Sequence, residues 1–170
     1  MELQPTLKNE LVKIRPLHIK DLEFLYKVAK DPKIWEQHPC KRYLRSEFEK
    51  FFTESIESKG ALTILDKVTD RIIGSSRFKK VVGFPNGIEI GWTFLGREYW
   101  GGKYNKMVKN LMIDHAFNYV DNIIFYVAKN NIRSQKAVEK INGHKISELE
   151  FPNLPKTSSD NLTFVIKRKI

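Results

Sequence analysis

The chain has 170 residues, 41% of them hydrophobic and 12% aromatic, which suits one domain with a continuous core and excludes a disordered chain. No apolar run reaches the roughly 20 residues of a membrane-spanning helix, residues 1–10 lack a secretion-signal pattern, and the single Cys40 excludes an internal disulfide framework. The net charge of +10 favours anionic ligands or a solvated cationic surface, but the basic residues are scattered, without the basic-aromatic stripe of single-strand binders. The expectation is one cytoplasmic domain spanning residues 1–170.

Residues 11–17 alternate apolar and polar and stop near Pro16, which predicts a first strand. A helix over 19–29 follows, with Ile19, Leu22, Leu25, Tyr26 and Ala29 at helical spacing and Phe24 and Val28 widening the stripe. Asp31-Pro32 ends it or opens a short second helix. Ser46 and Glu49 have the spacing of a capping box and predict the start of a helix whose apolar face is Phe48, Phe51, Phe52 and Ile56. Residues 61–65 and 71–78 flank the polar turn 66–70 and read as a hairpin. Phe84-Pro85-Asn86-Gly87 then turns the chain into a strand over 88–95.

Beyond the next turn, Met107, Val108, Leu111, Met112, His115, Ala116 and Tyr119 trace one face of a long helix. Residues 122–127 form a nearly continuous apolar run, as in a strand covered on both sides. A short helix over 134–141 ends at Asn142-Gly143, residues that tolerate left-handed backbone. Residues 145–151 and 162–169 read as a closing strand pair around a proline-containing loop. There is no repeat or low-complexity block, and the pattern predicts an α+β (mixed α/β) domain.

The most informative stretch is Tyr99-Trp100-Gly101-Gly102-Lys103-Tyr104-Asn105, between the strand at 88–95 and the long helix. Adjacent glycines at a strand-to-helix turn let backbone come close to a ligand. The first turn of a helix has unpaired N–H groups and partial positive charge, so with Lys103 and Lys106 beside it the turn reads as a phosphate cradle. His115 titrates near neutrality but lies on the apolar helix face, where a packed structural role is expected. Cys40 has no local His/Asp partnership, and no spaced Cys/His set suggests a metal.

The order of elements, together with three motifs, resembles the GNAT acyltransferase superfamily. The first is the opening at 11–17 with Asp21 and Asp31-Pro32-Lys33-Ile34-Trp35. The second is Glu89-Ile90-Gly91-Trp92 followed by the glycine turn through Lys106. The third is Asn131-Ile132-Arg133-Ser134-Gln135-Lys136-Ala137 with Glu139-Lys140-Ile141. Together they resemble the ribosomal-protein N-acetyltransferase (RimJ/RimL-like) branch from residue 11 onward. The usual loop, Gln/Arg-x-x-Gly-x-Gly/Ala, is altered: Trp100 holds the first position, Lys103 the central glycine and Asn105 the last small residue. Asn105 is tolerable there if its φ is positive or its side chain caps the helix.

The resemblance implies a mostly antiparallel sheet of about seven strands flanked by about four helices, opened at its middle by acetyl-CoA, with no metal. It implies direct transfer of an acetyl group to a primary amine: a protein N-terminus, an amino acid or a small-molecule amine. Trp100, Gly101, Gly102, Lys103, Tyr104, Asn105 and Lys106 would hold the pyrophosphate, and Asn131 the pantetheine arm. Glu89 is the candidate base, against the alternative of a strand glutamate in a cross-strand ion pair. Ser134 would donate to the departing sulfur, or simply cap its helix. Many members use a downstream tyrosine for that step, but the last strand here offers Phe164 and no tyrosine follows Tyr126. Trp35, His38 and Tyr43 would line the acceptor groove, Trp35 equally well being a packing anchor. The rival readings are a non-catalytic acyl-CoA sensor, a basic RNA-associated module, and an enzyme for longer acyl groups. Neither membrane nor nucleic acid is required, and a homodimer is the commonest assembly.

Overall fold

The computed structural model describes residues 1–147 and 149–168. Eight strands form one sheet: β1 (Leu7–Lys8), β2 (Val12–Pro16), β3 (Ala61–Asp66), β4 (Ile72–Lys80), β5 (Gly87–Leu95), β6 (Asn122–Ala128), β7 (His144–Lys145) and β8 (Asn161–Lys167), in the order β1-β2-β3-β4-β5-β6-β8-β7. Every pairing is antiparallel except β5 with β6. Four α-helices lie among the described residues: α1 (Leu22–Ala29), α2 (Arg45–Glu57), α3 (Tyr104–Ala116) and α4 (Ile132–Glu139). The strand beyond the expected seven is the two-residue β1, too short to carry an alternation signal.

Two hydrophobic cores cover the two sheet faces. On one, Leu25 and Ala29 of α1 and Phe48, Phe51 and Phe52 of α2 pack with Ile34, Trp35, Ala61 and Phe94. On the other, Val108, Met112, Ile113 and Ala116 of α3 and Val138 of α4 pack on Leu62, Ile64, Phe78, Ile88, Ile90 and Phe125. Strand period 2 sends Ala61 to one core and Leu62 and Ile64 to the other. Asp21 ties α1 to the sheet: it accepts two hydrogen bonds from the Arg15 guanidinium (2.7 and 2.8 Å), one from the His18 N–H and one from Thr63 Oγ1.

Three local expectations need correction. Ile19 and Phe24 are 67% and 56% exposed, because a 3-10 turn at Ile19–Asp21 precedes α1 and Phe24 lies under Lys27 on the solvent side. Ser46 is not an N-cap. Leu44 has the extended backbone of that position, and Glu49 accepts instead from Arg45 Nε (2.7 Å), an i,i+4 pair that removes it from any capping box. The strand predicted over 145–151 is only His144–Lys145, and its span crosses residue 148, outside the described residues, as is the end of the strand predicted to 169. The helix expected over 134–141 runs Ile132–Glu139, and Asn142 just beyond it is left-handed as expected, with φ of 67°.

Candidate active site

Parallel pairing between β5 and β6 is brief. Gly87, Ile88 and Glu89 stand opposite Asn122, Ile123 and Ile124, and then both strands continue without pairing. A bulge turns β5 away: Ser75 pairs with Phe94 and Arg77 with Gly91, so Ser76 faces both Trp92 and Thr93. Trp92 takes up the extra residue with φ of 54°, a left-handed conformation that costs roughly 1–2 kcal/mol for a side chain of this kind. The result is a forked cleft with Glu89 at its apex. The open arm of β5, residues 90–95, is roughly 20 Å long at about 3.3 Å per residue.

The two strand ends lead to two helix starts at the mouth of the fork. From β5 the chain passes a 3-10 turn (Arg97–Tyr99) and reaches Gly101, whose φ of 70° favours glycine. A Cβ on Gly101 or Gly102 would meet nothing within 4 Å, so open space lies over both. Lys103 begins α3 without a side-chain cap, and the six backbone N–H groups of residues 101–106 have no acceptor among the described residues. Orphan donors at the positive end of a 13-residue helix have the chemistry to bind an anion. Lys103 and Lys106 are exposed beside it. Asn105 is neither left-handed nor a cap but an ordinary first-turn residue. Two side chains of the predicted set point elsewhere. The Tyr104 hydroxyl approaches Asp66 (3.4 Å), and Trp100 Nε1 donates to the Leu95 carbonyl (3.0 Å) while its ring packs between the two cores.

The profile of the Acetyltransferase (GNAT) domain family matches residues 12–144, a span that contains the fork, the cradle and the start of α4. The chain belongs to the GNAT acetyltransferase family. Solved structures share its fold at low identity. An acetyltransferase from Agrobacterium tumefaciens is 23% identical with a TM-score of 0.75, over 96% of this chain and 95% of that one. A protein from Vibrio cholerae described as a ribosomal-protein-serine acetyltransferase is 13% identical with a TM-score of 0.78, over 99% and 100%. The spermidine N-acetyltransferase of Vibrio cholerae, solved with CoA and spermine, is 18% identical with a TM-score of 0.66, over 94% and 96%. No match was found among curated proteins.

In this GNAT acetyltransferase, Glu89 is half-buried opposite Lys79 in the ladder, yet the two form no ion pair; Lys79 lies over the Trp92 ring instead. Burial pushes the Glu89 carboxyl up to about 6, against the opposing pull of Lys79 and Arg77. At the other strand end, Asn131 caps α4 by accepting from the Ser134 N–H (3.0 Å), so Ser134 is an N3 residue and not the cap. The Asn131 amide nitrogen and the Ser134 hydroxyl have no hydrogen-bond partner among the described residues. Arg133 braces the mouth of the fork. Its N–H donates to Gln37 Oε1 (3.0 Å), its Nη2 to the Ile34 carbonyl (2.8 Å), and its guanidinium covers the Trp100 ring at 4.2 Å.

Trp35, His38 and Tyr43 line one open depression of about 340 Å³. Trp35 is also a packing anchor, 5% exposed with its Nε1 bonded to the Ala29 carbonyl (2.7 Å). Burial, then the charge of Arg42, lowers His38 to about 4, so its ring is neutral at physiological pH and accepts from the Cys40 N–H. His115 is structural, bonding the Glu2 carbonyl (2.9 Å) and packing on Phe78 and Tyr119.

Two residues with shifted pKa values near the fork were not singled out from the sequence. Tyr126 lies on β6 two residues past Ile124, the partner of Glu89, and therefore on the same sheet face. Burial and then Glu89 raise its pKa, which keeps the phenol protonated. Lys109 is buried on α3 and lowered to about 7 by burial; its Nζ donates to Thr93 Oγ1 (2.6 Å), which shares a hydrogen bond with Ser76 Oγ (2.7 Å) across the bulge. The helical spacing of Lys109 with Ile113 and Ala116 was the signal available for it. Among the described residues no three His, Cys, Asp or Glu gather as metal ligands, and no helix is long and apolar enough to cross a membrane.

Proposed function

We propose that this protein is an acetyl-CoA-dependent N-acetyltransferase of the RimJ/RimL-like branch, a single catalytic domain that transfers acetyl directly to a primary amine. The observation that carries the proposal is the row of six unpaired N–H groups over residues 101–106 at the mouth of the fork. These donors suit the pyrophosphate of coenzyme A, and the unpaired backbone of the fork suits an amide-bearing arm laid between β5 and β6. When bound, acetyl-CoA supplies an acyl group activated as a thioester.

The residues divide the remaining work. Residues 101–106 bind and orient the phosphates, with Lys103 and Lys106 adding charge. Asn131 offers its free amide donor along the arm. Glu89, poised near 6, takes the proton that the amine must lose, directly or through water. Ser134 gives a proton or hydrogen bond to the departing sulfur. Tyr126 is a second candidate for that step, favoured by its place on the Glu89 face and its protonated phenol. The acceptor amine enters from the α1/α2 side, beside Trp35, His38 and Tyr43, and a reducing cytoplasm suits the lone exposed Cys40.

Free-thiol release from acetyl-CoA across a panel of peptides, amino acids and polyamines tests this reading. Amine-dependent release supports an enzyme, whereas acetyl-CoA binding without release for any amine leaves only a sensor. Ser134→Ala and Tyr126→Phe, compared on the same acceptor, assign the proton donor.

A further inference from the structure

Two arginines on the α1/α2 side of the sheet lack a carboxylate partner. Arg77 of β4 is 6% exposed, gives one hydrogen bond, from Nη2 to Ser55 Oγ, and has its Nε buried with no partner at all. Its guanidinium lies 4.4 Å from the ring centre of Trp92 and 5.7 Å from that of Phe51. Arg42, just before α2, lies 4.2 Å over the same Phe51 ring and 5.4 Å from Trp35, and forms no hydrogen bond or ion pair among the described residues. Burial first, then for Arg77 the charge of Arg42, lowers the pKa of both. Glu54 on α2 and Glu89 on β5 act on the pair from a distance, and neither forms an ion pair with it.

Among the described residues, four other arginines pair with carboxylates: Arg15 with Asp21, Arg45 with Glu23 and Glu49, Arg97 with Asp31, and Arg168 with Asp121, while Arg133 is engaged by the Ile34 carbonyl and the Trp100 ring. Burying cations on an aromatic floor without a counter-charge costs stability, and a ligand that brings the missing charge offsets that cost. The planar fork of a guanidinium matches an oxyanion, carboxylate or phosphate. The place is also specific. Arg77 stands opposite Gly91 and Glu89 opposite Lys79, which makes Arg77 and Glu89 diagonal neighbours on one sheet face, a separation of about 7–8 Å.

We propose that Arg77 and Arg42 form an oxyanion subsite, so that the acceptor is a small amine bearing a carboxylate or phosphate within a few bonds of its nitrogen. The amine then meets Glu89 while the anion meets the guanidinium pair, and a polyamine meets two uncompensated positive charges. This specificity rests on the acetyl-transfer reading given above.

Matched acceptors test it: amino acids against their amides, and aminoalkyl phosphates against the corresponding amino alcohols, with acetyl-CoA saturating. The expected result is at least a tenfold higher kcat/KM for one anionic class, carboxylate or phosphate, over its neutral partner. Arg42→Gln, at a half-exposed position, should bring the ratio within threefold of unity while leaving the KM for acetyl-CoA unchanged and the melting temperature no lower. Equal use of charged and neutral acceptors, or a preference that survives in Arg42→Gln, overturns the subsite. Should no amine be turned over, binding decides. An N-acetylated amino acid should change the intrinsic tryptophan fluorescence saturably, its amide should not, and Arg42→Gln should abolish the change. Indistinguishable behaviour of acid and amide would overturn the subsite independently of any activity.

Discussion

As the proposed base, the half-buried Glu89 carboxyl has opposite consequences for rate and for stability. Its folded pKa of about 6 lies above the ordinary value of 4.5, so its favourable contribution to folding is present below pH 4.5 and is lost as pH rises through 6. Ionised at pH 7.5, it costs stability but is ready to accept a proton. Glu89→Gln should therefore lower kcat by about 100-fold or more and abolish the acidic limb of the pH–rate profile near 6, while raising the melting temperature slightly at pH 7.5. A variant with full kcat would remove Glu89 from the chemistry. Lys109 has the reverse sign. Its folded pKa near 7 lies below the ordinary 10.5, so the unfolded chain binds more protons between these values and stability rises with pH across that window. Lys109→Met should stabilise the protein by about 1–4 kcal/mol near pH 6.5 and flatten that rise. Urea midpoints of both proteins at pH 6.5 and 9.5 measure it, and a less stable variant at both would show that the bond to Thr93 outweighs the buried charge.

Individual elements are held by a few polar groups placed where the apolar cores end. Asp21 is the clearest: burial opposes its ionisation, but the bonds from Arg15, the His18 N–H and Thr63 outweigh burial and hold its pKa below the ordinary value. Its stabilising effect is thus present above pH 3.8 and is lost as pH falls through the lower folded value. Asp21→Ala strands a buried hydroxyl and a partly buried guanidinium at once, and a loss of about 3 kcal/mol is expected in chemical denaturation at pH 7. A loss below 1 kcal/mol would mean that water replaces the carboxylate. The long periodic elements were legible in the sequence because their burial is one-sided or complete: α2 through Phe48, Phe51 and Phe52, β6 through its apolar run. Their edges were not. Ser46 lost its cap to an ion pair of Arg45 with Glu49, and the two-residue β1 and β7 are set by neighbouring strands rather than by their own residues.

Across the whole molecule, the proposed function is built on one interruption of the sheet. The bulge at Trp92 lies just past the point where β5 stops pairing with β6, and the half-buried Glu89 stands at that point. The unpaired donors of the glycine turn and the Asn131–Ser134 segment that caps α4 were readable because each lies within one short stretch of sequence. Lys109, Tyr126 and the Arg42–Arg77 pair were hidden because tertiary packing, which no local pattern encodes, brings them to the fork and its acceptor side. The most direct test of this account is an amide NMR titration of the ¹⁵N-labelled protein with acetyl-CoA. Saturable shifts concentrated in the amides of residues 101–106, with smaller ones along residues 90–93 and at Asn131, are predicted. Unchanged 101–106 amides at millimolar acetyl-CoA, or shifts confined to other surfaces, would contradict it.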